Sequence, residues 1–198
     1  MKNKKTVILT EGAILLAIAV ALSFITPLQR ILPFGGSITL ASMLPICMFS
    51  IHHGVAKGLL VSLLFSLFQL GQGIIRDGLL AWGLTPVMLI CCILFDYIIA
   101  YTVLGAAGMF RKKGVAGWII GTAAAMVLRF VSHFISGVVV FAATGKIWES
   151  LEFVADNKFV YSLVYNGAYM LPEIVFTLIV AAILFNTAPI KKMLKNGE

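Results

Sequence analysis

Residues 128–137, LRFVSHFISG, decide the fold, because they place an arginine and a histidine deep inside an apolar run long enough to cross a bilayer. An ionisable side chain in hydrocarbon must face a partner, a cavity or water, so this pair indicates a functional site rather than a surface facing lipid. Arg129 and His133 are four residues apart and therefore lie on one face of a helix. The rest of the chain must supply what that face contacts.

The composition is that of a membrane protein. Of the 198 residues, 61% are hydrophobic, and the mean hydropathy is +1.04. A soluble domain would have to expose a mostly apolar surface at this composition. We therefore predict an all-α integral membrane protein, with residues 1–198 forming a single membrane domain built as a six-helix bundle. The expected spans lie near residues 11–27, 37–52, 54–75, 84–109, 115–143 and 165–188.

The net charge of +7 is distributed in short clusters between the apolar runs, which is typical of membrane topology rather than of nucleic-acid binding. One side of the membrane receives Lys2, Lys4, Lys5, Lys57, Arg111, Lys112, Lys113, Lys191, Lys192 and Lys195. The other side receives Arg30, Arg76, Lys146 and Lys158. The positive-inside rule then predicts cytoplasmic termini in a multi-pass protein of the cell membrane.

The cysteines and two of the histidines carry no predicted metal site. Cys47, Cys91 and Cys92 fall in apolar runs without a CxxC pair, so we expect small buried side chains rather than disulfides. His52 and His53 are adjacent and are expected at the cytoplasmic end. No acidic or thiol residue accompanies them in the sequence, which disfavours metal binding there.

Polar and aromatic side chains from three predicted helices fall at similar depth. At 1.5 Å per residue, Asp96 lies about 18 Å and His133 about 15 Å from the outer ends of their helices, and Glu173 lies at a similar depth. The other candidate pocket residues are Arg129, Tyr97, Phe141, Tyr161, Tyr165, Asn166 and Tyr169. Two carboxylates, one guanidinium and several aromatic rings suit a small, planar, cationic ligand. Alternatively, Asp96 and Arg129 form a structural salt bridge and the tyrosines an interfacial belt.

Two further features have a functional and a plain structural interpretation. Ala13, Ala17 and Ala21 form a small-residue face on the first helix, which either packs inside the bundle or docks a partner protein. Residues 27–37 form the first outward loop, with two prolines and a Gly-Gly pair. This loop is either a connector or a lid, and its candidate gate residues are Phe34, Gly35 and Gly36.

Four segments of the chain carry a family resemblance. They are Phe95-Asp96-Tyr97, residues 104–110 (LGAAGMF), residues 129–137 (RFVSHFISG) and residues 161–167 (YSLVYNG). Together they resemble the substrate-binding S components of energy-coupling-factor (ECF) vitamin transporters, most closely the thiamine-specific ones. The resemblance implies a six-helix protein without catalysis or a cofactor, which captures thiamine outside the cell and works with a membrane scaffold subunit and two cytoplasmic ATPases.

The resemblance also implies roles for individual residues. Asp96, Tyr97, His133, Tyr161 and Asn166 match the family's substrate contacts. The position of Phe141 is one where a tryptophan can stack on the substrate. The first loop corresponds to the family's gate, and the alanine face corresponds to its scaffold-docking surface.

Other functions stay open on the sequence. The chain is alternatively an S component for a thiamine precursor or another flat vitamin, or a proton-coupled transporter without ATPase partners. An intramembrane enzyme would use Asp96, His133 and Glu173 as acid, base or metal ligands, but no HExxH or GxSxG motif supports one. The chain also has no GxxxxGK[ST] loop, so ATP hydrolysis must come from a partner.

Overall fold

Eight α-helices and the segments that join them make up the described part of the chain, which is residues 4–26, 36, 38–143, 145–147 and 154–195 of a computed structural model. The helices are α1 (Lys4–Ser23), α2 (Leu44–His53), α3 (Val55–Ile75), α4 (Pro86–Cys92), α5 (Ala100–Thr102), α6 (Gly114–Ser136), α7 (Lys158–Asn186) and α8 (Ala188–Lys195). Between them lie the 3₁₀ segments Leu79–Ala81 and Val103–Lys113 and the π-wound segments Ile93–Ile99 and Gly137–Phe141. Two-residue strands β1 (Gly145–Lys146) and β2 (Val154–Ala155) pair antiparallel. The described chain is therefore helical apart from this short ribbon and the turns and irregular segments between the helices.

Four helical stretches are long and apolar enough to cross a membrane. They are Lys4–Ser23, Val55–Ile75, Pro86–Phe141 and Lys158–Asn186. The third has 56 residues, far more than the roughly 20 that one crossing needs. It folds back on itself where Phe110 leaves helical geometry and Gly114 takes a φ of +64°. Helix α6 then packs along the segment Val103–Lys113.

Three helices begin at places that differ from the expected spans. Helix α1 begins at Lys4 rather than near residue 11. Helix α2 begins at Leu44 rather than near residue 37, after Ala41 takes a φ of +53°, and Pro45 suits its first turn. Helix α7 begins at Lys158 rather than near residue 165. Its start is fixed by Asn157, whose Oδ1 accepts hydrogen bonds from the backbone N–H groups of Phe159 and Val160 at 3.1 and 3.0 Å.

Helix α2 lies at the centre of the packed end of the bundle. Every residue from Leu44 to Ile51 is buried, and the helix contacts α1, α3, α6, α8 and the segment Val103–Lys113. Ser50 Oγ donates to the carbonyl oxygen of Gly105 and accepts from the N–H of Gly108 at 3.0 Å. These glycines let two backbones meet closely here, while the helices leave a cavity at the other end of the bundle.

Candidate functional site

A cavity lies among the C-terminal ends of α1, α3 and α6, the segment Ile93–Ile99, and the N-terminal half of α7. Nine of the ten candidate pocket residues line it, together with Gly36 from the predicted gate. These nine are Asp96, Tyr97, Arg129, His133, Phe141, Tyr161, Tyr165, Asn166 and Tyr169. The helices therefore bring together residues that the sequence placed at similar depth on separate spans.

The Asp96 carboxylate contacts three other side chains at the cavity. Its Oδ1 lies 2.9 Å from His133 Nδ1, and its Oδ2 accepts from Ser136 Oγ and, at 3.3 Å, from Cys92 Sγ. A carboxylate only accepts, so Nδ1 of His133 carries a hydrogen. In the neutral imidazole, Nε2 is then an acceptor, and this buried atom has no hydrogen-bond partner among the described residues.

The π winding of Ile93–Ile99 allows Asp96 to reach this position. Asp96 and Tyr97 are consecutive, yet both line the cavity. Wider winding also leaves carbonyl groups without their usual helical partners. The carbonyl oxygen of Phe95 accepts a hydrogen bond from Ser132 Oγ at 2.6 Å, which holds the segment against α6.

Arg129 is buried beside Tyr101 rather than paired with Asp96. Its Nη2 donates to the Tyr101 hydroxyl at 3.1 Å, its Nη1 lies 2.9 Å from Met170 Sδ, and the guanidinium carbon lies 4.7 Å from the Tyr101 ring centroid. Among the described residues, no ion pair joins Arg129 to Asp96. The alternative of a structural Asp96–Arg129 salt bridge is therefore wrong, because His133 and Ser136 occupy the carboxylate.

The tyrosines of α7 form a ladder along the cavity. Tyr161 and Tyr165 stack with centroids 6.0 Å apart, and Tyr169 meets Tyr165 edge-on at 6.4 Å and His133 at 6.0 Å. Asn166 Oδ1 accepts from the Tyr169 hydroxyl at 2.8 Å. Tyr161 and Tyr169 are only 8% and 7% exposed, so they belong to the cavity wall rather than to an interfacial belt.

Glu173 was expected to face the ligand, but it does not line the described cavity wall. Its side chain is completely buried behind that wall. Its Oε2 accepts from the backbone N–H of Thr39 at 2.5 Å and its Oε1 from Thr39 Oγ1 at 2.7 Å. Glu173 therefore fixes the backbone of Thr39, which does line the cavity.

Several lining residues were not expected from the sequence. Helix α3 contributes Gln69 and Gln72, and Gln72 Nε2 donates to Ser23 Oγ on α1 at 2.6 Å. Two amides three residues apart in an apolar helix were the signal available for them. Trp82 follows a 3₁₀ turn and lies with its ring 6.1 Å from that of Phe141, a contact between distant residues that no local pattern predicts.

The charge of the cavity wall differs from the two carboxylates and one guanidinium that the sequence predicted. With Glu173 behind the wall, Arg76 and Asp77 join Asp96 and Arg129 on it. Carboxylates and guanidiniums are therefore equal in number along the described wall, rather than one negative charge in excess. Asp96 is linked to the aromatic ladder through His133, whose imidazole contacts Tyr169.

The other two predicted features are the gate loop and the alanine face of α1. Phe34 and Gly35 of the gate loop lie outside the described residues, while Gly36 lies at the cavity. Ala13, Ala17 and Ala21 are all exposed on α1. The buried side of α1 carries Gly12, Ala19 and Ser23 instead. The alternative that the alanine face packs inside this bundle is therefore wrong.

The fold and the cavity define a helical membrane protein that surrounds a cavity lined by polar and aromatic side chains. Residues 9–193 match the family model of the thiamine transporter proteins. The chain therefore belongs to the thiamine transporter protein family, and it is a multi-pass protein of the cell membrane.

Individual relatives agree with this assignment. The chain is 33% identical to the thiamine transporter ThiT of Bacillus subtilis (strain 168) over 209 residues, which cover 100% of this chain and 98% of that protein. It is 28% identical to ThiT of Lacticaseibacillus paracasei over 217 residues, covering 100% and 96%. The solved structure of ThiT from Listeria monocytogenes is similar at a TM-score of 0.68 and 26% identity, covering 97% of this chain and 99% of that one.

Proposed function

We propose that this chain captures thiamine from outside the cell as the S component of an ATP-driven ECF transporter. The observation that carries the proposal is the Asp96–His133 pair facing a ladder of tyrosines inside a cavity, in a chain of the thiamine transporter family. Thiamine joins a permanently cationic thiazolium to a flat aminopyrimidine. Aromatic faces attract such a cation and stack on such a ring.

Each residue of the cavity has its own role in binding thiamine. The free Nε2 of His133 accepts a hydrogen bond from the ligand, and Asp96 orients the imidazole. Asn166 adds a polar contact, while Tyr97, Phe141, Tyr161 and Tyr169 supply the faces on which the rings stack. Arg129 holds Tyr101 in place. Glu173 acts through Thr39 rather than on the ligand.

We also propose a membrane topology and a set of partner subunits for this chain. The bundle crosses the membrane six times, near the spans expected from sequence, with both termini cytoplasmic and the cavity toward the outside. The loop containing Phe34, Gly35 and Gly36 closes over the ligand. The chain performs no catalysis and uses no cofactor, and two cytoplasmic ATPases drive transport through a membrane scaffold subunit.

The docking surface for the scaffold subunit is the alanine face of α1. Its support is the exposure of Ala13, Ala17 and Ala21 on one side of an apolar helix. Small side chains let another helix approach closely within a membrane, where packing rather than the hydrophobic effect drives association.

Thiamine titration of the detergent-purified protein tests the function, followed by calorimetry and by tryptophan fluorescence. We expect saturable binding with one thiamine per chain. Competition by the separate aminopyrimidine and thiazole halves of thiamine distinguishes the vitamin from its precursors, because the intact molecule should compete far better than either half. A folded protein that binds no thiamine would contradict the proposal.

A further inference from the structure

Three metal-ligating side chains meet at the end of the bundle opposite the cavity. Glu11 comes from α1, and His52 and His53 are the last two residues of α2. One ligand atom from each lies within 4.8 Å of the other two, and Glu11 Oε2 lies 2.6 Å from His53 Nε2. The expectation that no acidic residue accompanies these histidines is therefore wrong, because the fold delivers Glu11 from another helix.

The backbone explains why the two helices come close here. Gly12 follows Glu11, and a Cβ atom on it would lie 3.2 Å from Phe49 Cε2, so the glycine lets α1 approach α2 closely. The imidazole of His53 packs against the same phenyl ring with centroids 4.7 Å apart. After His53, Gly54 takes a φ of +91° and turns the chain directly into α3. The positions of all three ligands are thus set by packed helices rather than by a loop.

The cluster has unsatisfied ligand capacity. His52 Nδ1 is buried and has no hydrogen-bond partner among the described residues. The His52 ring lies 4.2 Å from the His53 ring, so the two imidazoles are adjacent in the cluster. Arg111 Nη1 donates to the His52 carbonyl oxygen at 3.1 Å and holds the end of α2 in place. The arginine charge opposes a bound cation, and the Glu11 carboxylate offsets it.

We propose that Glu11, His52 and His53 bind one divalent transition-metal ion of the Zn²⁺ class and thereby cross-link α1 to the turn between α2 and α3. Two imidazoles and one carboxylate form a ligand set that suits zinc, whereas Mg²⁺ and Ca²⁺ prefer oxygen ligands alone. Tetrahedral bonds of 2.0–2.1 Å place ligand atoms about 3.3 Å apart, and the present separations are within 4.8 Å, so side-chain rotation must close gaps of at most about 1.5 Å. Water completes the fourth position, and the proton of the Glu11–His53 hydrogen bond leaves to solvent.

Metal titration of tag-free, chelator-treated protein tests the site, since a histidine tag would bind the same ions. Co²⁺ reports the geometry through its visible absorption, and calorimetry gives the Zn²⁺ affinity and stoichiometry. We expect one ion per chain and a higher melting temperature with Zn²⁺ than without it. The variants Glu11→Gln, His52→Gln and His53→Gln should each weaken Zn²⁺ binding by at least about tenfold.

His133→Gln is the matched control, because it removes the one histidine outside the cluster and should leave Zn²⁺ affinity unchanged. Circular-dichroism melts without metal verify that each variant is folded, and Glu11→Asp provides a variant that keeps a carboxylate. A plain Glu11–His53 ion pair instead predicts that Glu11→Gln lowers the melting temperature without metal and that Zn²⁺ shifts no melting curve. That result, or equal Zn²⁺ binding by the wild type and the cluster variants, would overturn the proposal.

Discussion

The Nδ1 atom of His133 lies 2.9 Å from Oδ1 of Asp96, and this contact determines which nitrogen of the imidazole carries the hydrogen. The carboxylate holds the hydrogen on Nδ1, which leaves Nε2 as a buried acceptor with no hydrogen-bond partner among the described residues. Asp96 is held in turn by Ser136 and Cys92. The pair is thus oriented before any ligand arrives.

Asp96→Asn should weaken thiamine binding by about 10- to 100-fold, since a charge-assisted hydrogen bond is worth about 1.5–3 kcal/mol. The melting temperature should fall only slightly, because the amide keeps the size of the side chain. Calorimetry and thermal melts measure the two effects. Asp156→Asn, at an exposed position, removes the same charge and should change neither. Equal losses of affinity and stability in Asp96→Asn would assign Asp96 a structural role.

Trp82 should report ligand binding, because its indole lines the cavity beside Phe141. Trp82→Phe should abolish most of the thiamine-dependent change in fluorescence and weaken affinity by about tenfold or less, the range expected for one aromatic contact. Trp118 is fully buried against Phe185, away from the cavity wall. Trp118→Phe should therefore keep the fluorescence change, and the reverse pattern would contradict the placement of the ligand.

Thr39→Val should lower the free energy of unfolding by about 1–3 kcal/mol, because Glu173 would lose one of two donors in a fully buried position. Thermal melts in detergent follow the effect. Thr10→Val is the control, since it removes a hydroxyl hydrogen bond of 2.9 Å at an exposed position and should cost about 0.5 kcal/mol or less. Equal effects of the two changes would show that Glu173 does not depend on Thr39.

Gly105→Ala should destabilise the bundle by about 3 kcal/mol or more, because the new Cβ would lie 2.6 Å from Leu59 Cα and 2.7 Å from the carbonyl carbon of Gly58. Backbone atoms at that distance cannot move aside as a side chain can. Gly71→Ala is the matched control within α3, since its Cβ would meet nothing within 4 Å. It should be neutral or stabilise by up to about 1 kcal/mol.

Ala17→Trp should abolish uptake into cells while leaving thiamine affinity unchanged, because the indole would hold a partner helix away from the alanine face. Ile120→Trp places the same bulk on α6, at a side chain that is 54% exposed, and should permit uptake. Uptake assays in cells and titration of purified variants separate the two effects. Normal uptake by Ala17→Trp would show that the partner docks elsewhere.

Helical periodicity and depth predicted much of the site from sequence. Asp96 and His133 lie on separate predicted spans at comparable depth, and the cavity joins them with the predicted pocket residue Tyr169. Glu173 has a comparable depth but a different direction, and depth alone does not give the direction of a side chain. Its partner Thr39 comes from a distant irregular segment, so no local pattern pointed to it.

Local sequence patterns also do not predict contacts between helices that are distant in sequence. Glu11 joins His53 only because Gly12 allows α1 to reach α2. Trp82 reaches Phe141 only because the turn after α3 lies beside the end of α6. Periodicity predicts which face of a helix is apolar, whereas the neighbour of that face follows from how the whole bundle packs.

The π winding of Ile93–Ile99 has a consequence for how this site can change over time. Deleting one residue there would restore ordinary α winding and rotate the preceding residues about 100° relative to the following ones. Asp96 and Tyr97 could then no longer share the cavity wall, and Ser132 would lose the carbonyl oxygen of Phe95. Substitutions in this segment can therefore change which ligand the cavity prefers. The arrangement that puts Asp96 and Tyr97 on the same wall is instead gained or lost by insertion and deletion. An alignment that closes a single-residue gap at this point would compare positions that are not equivalent.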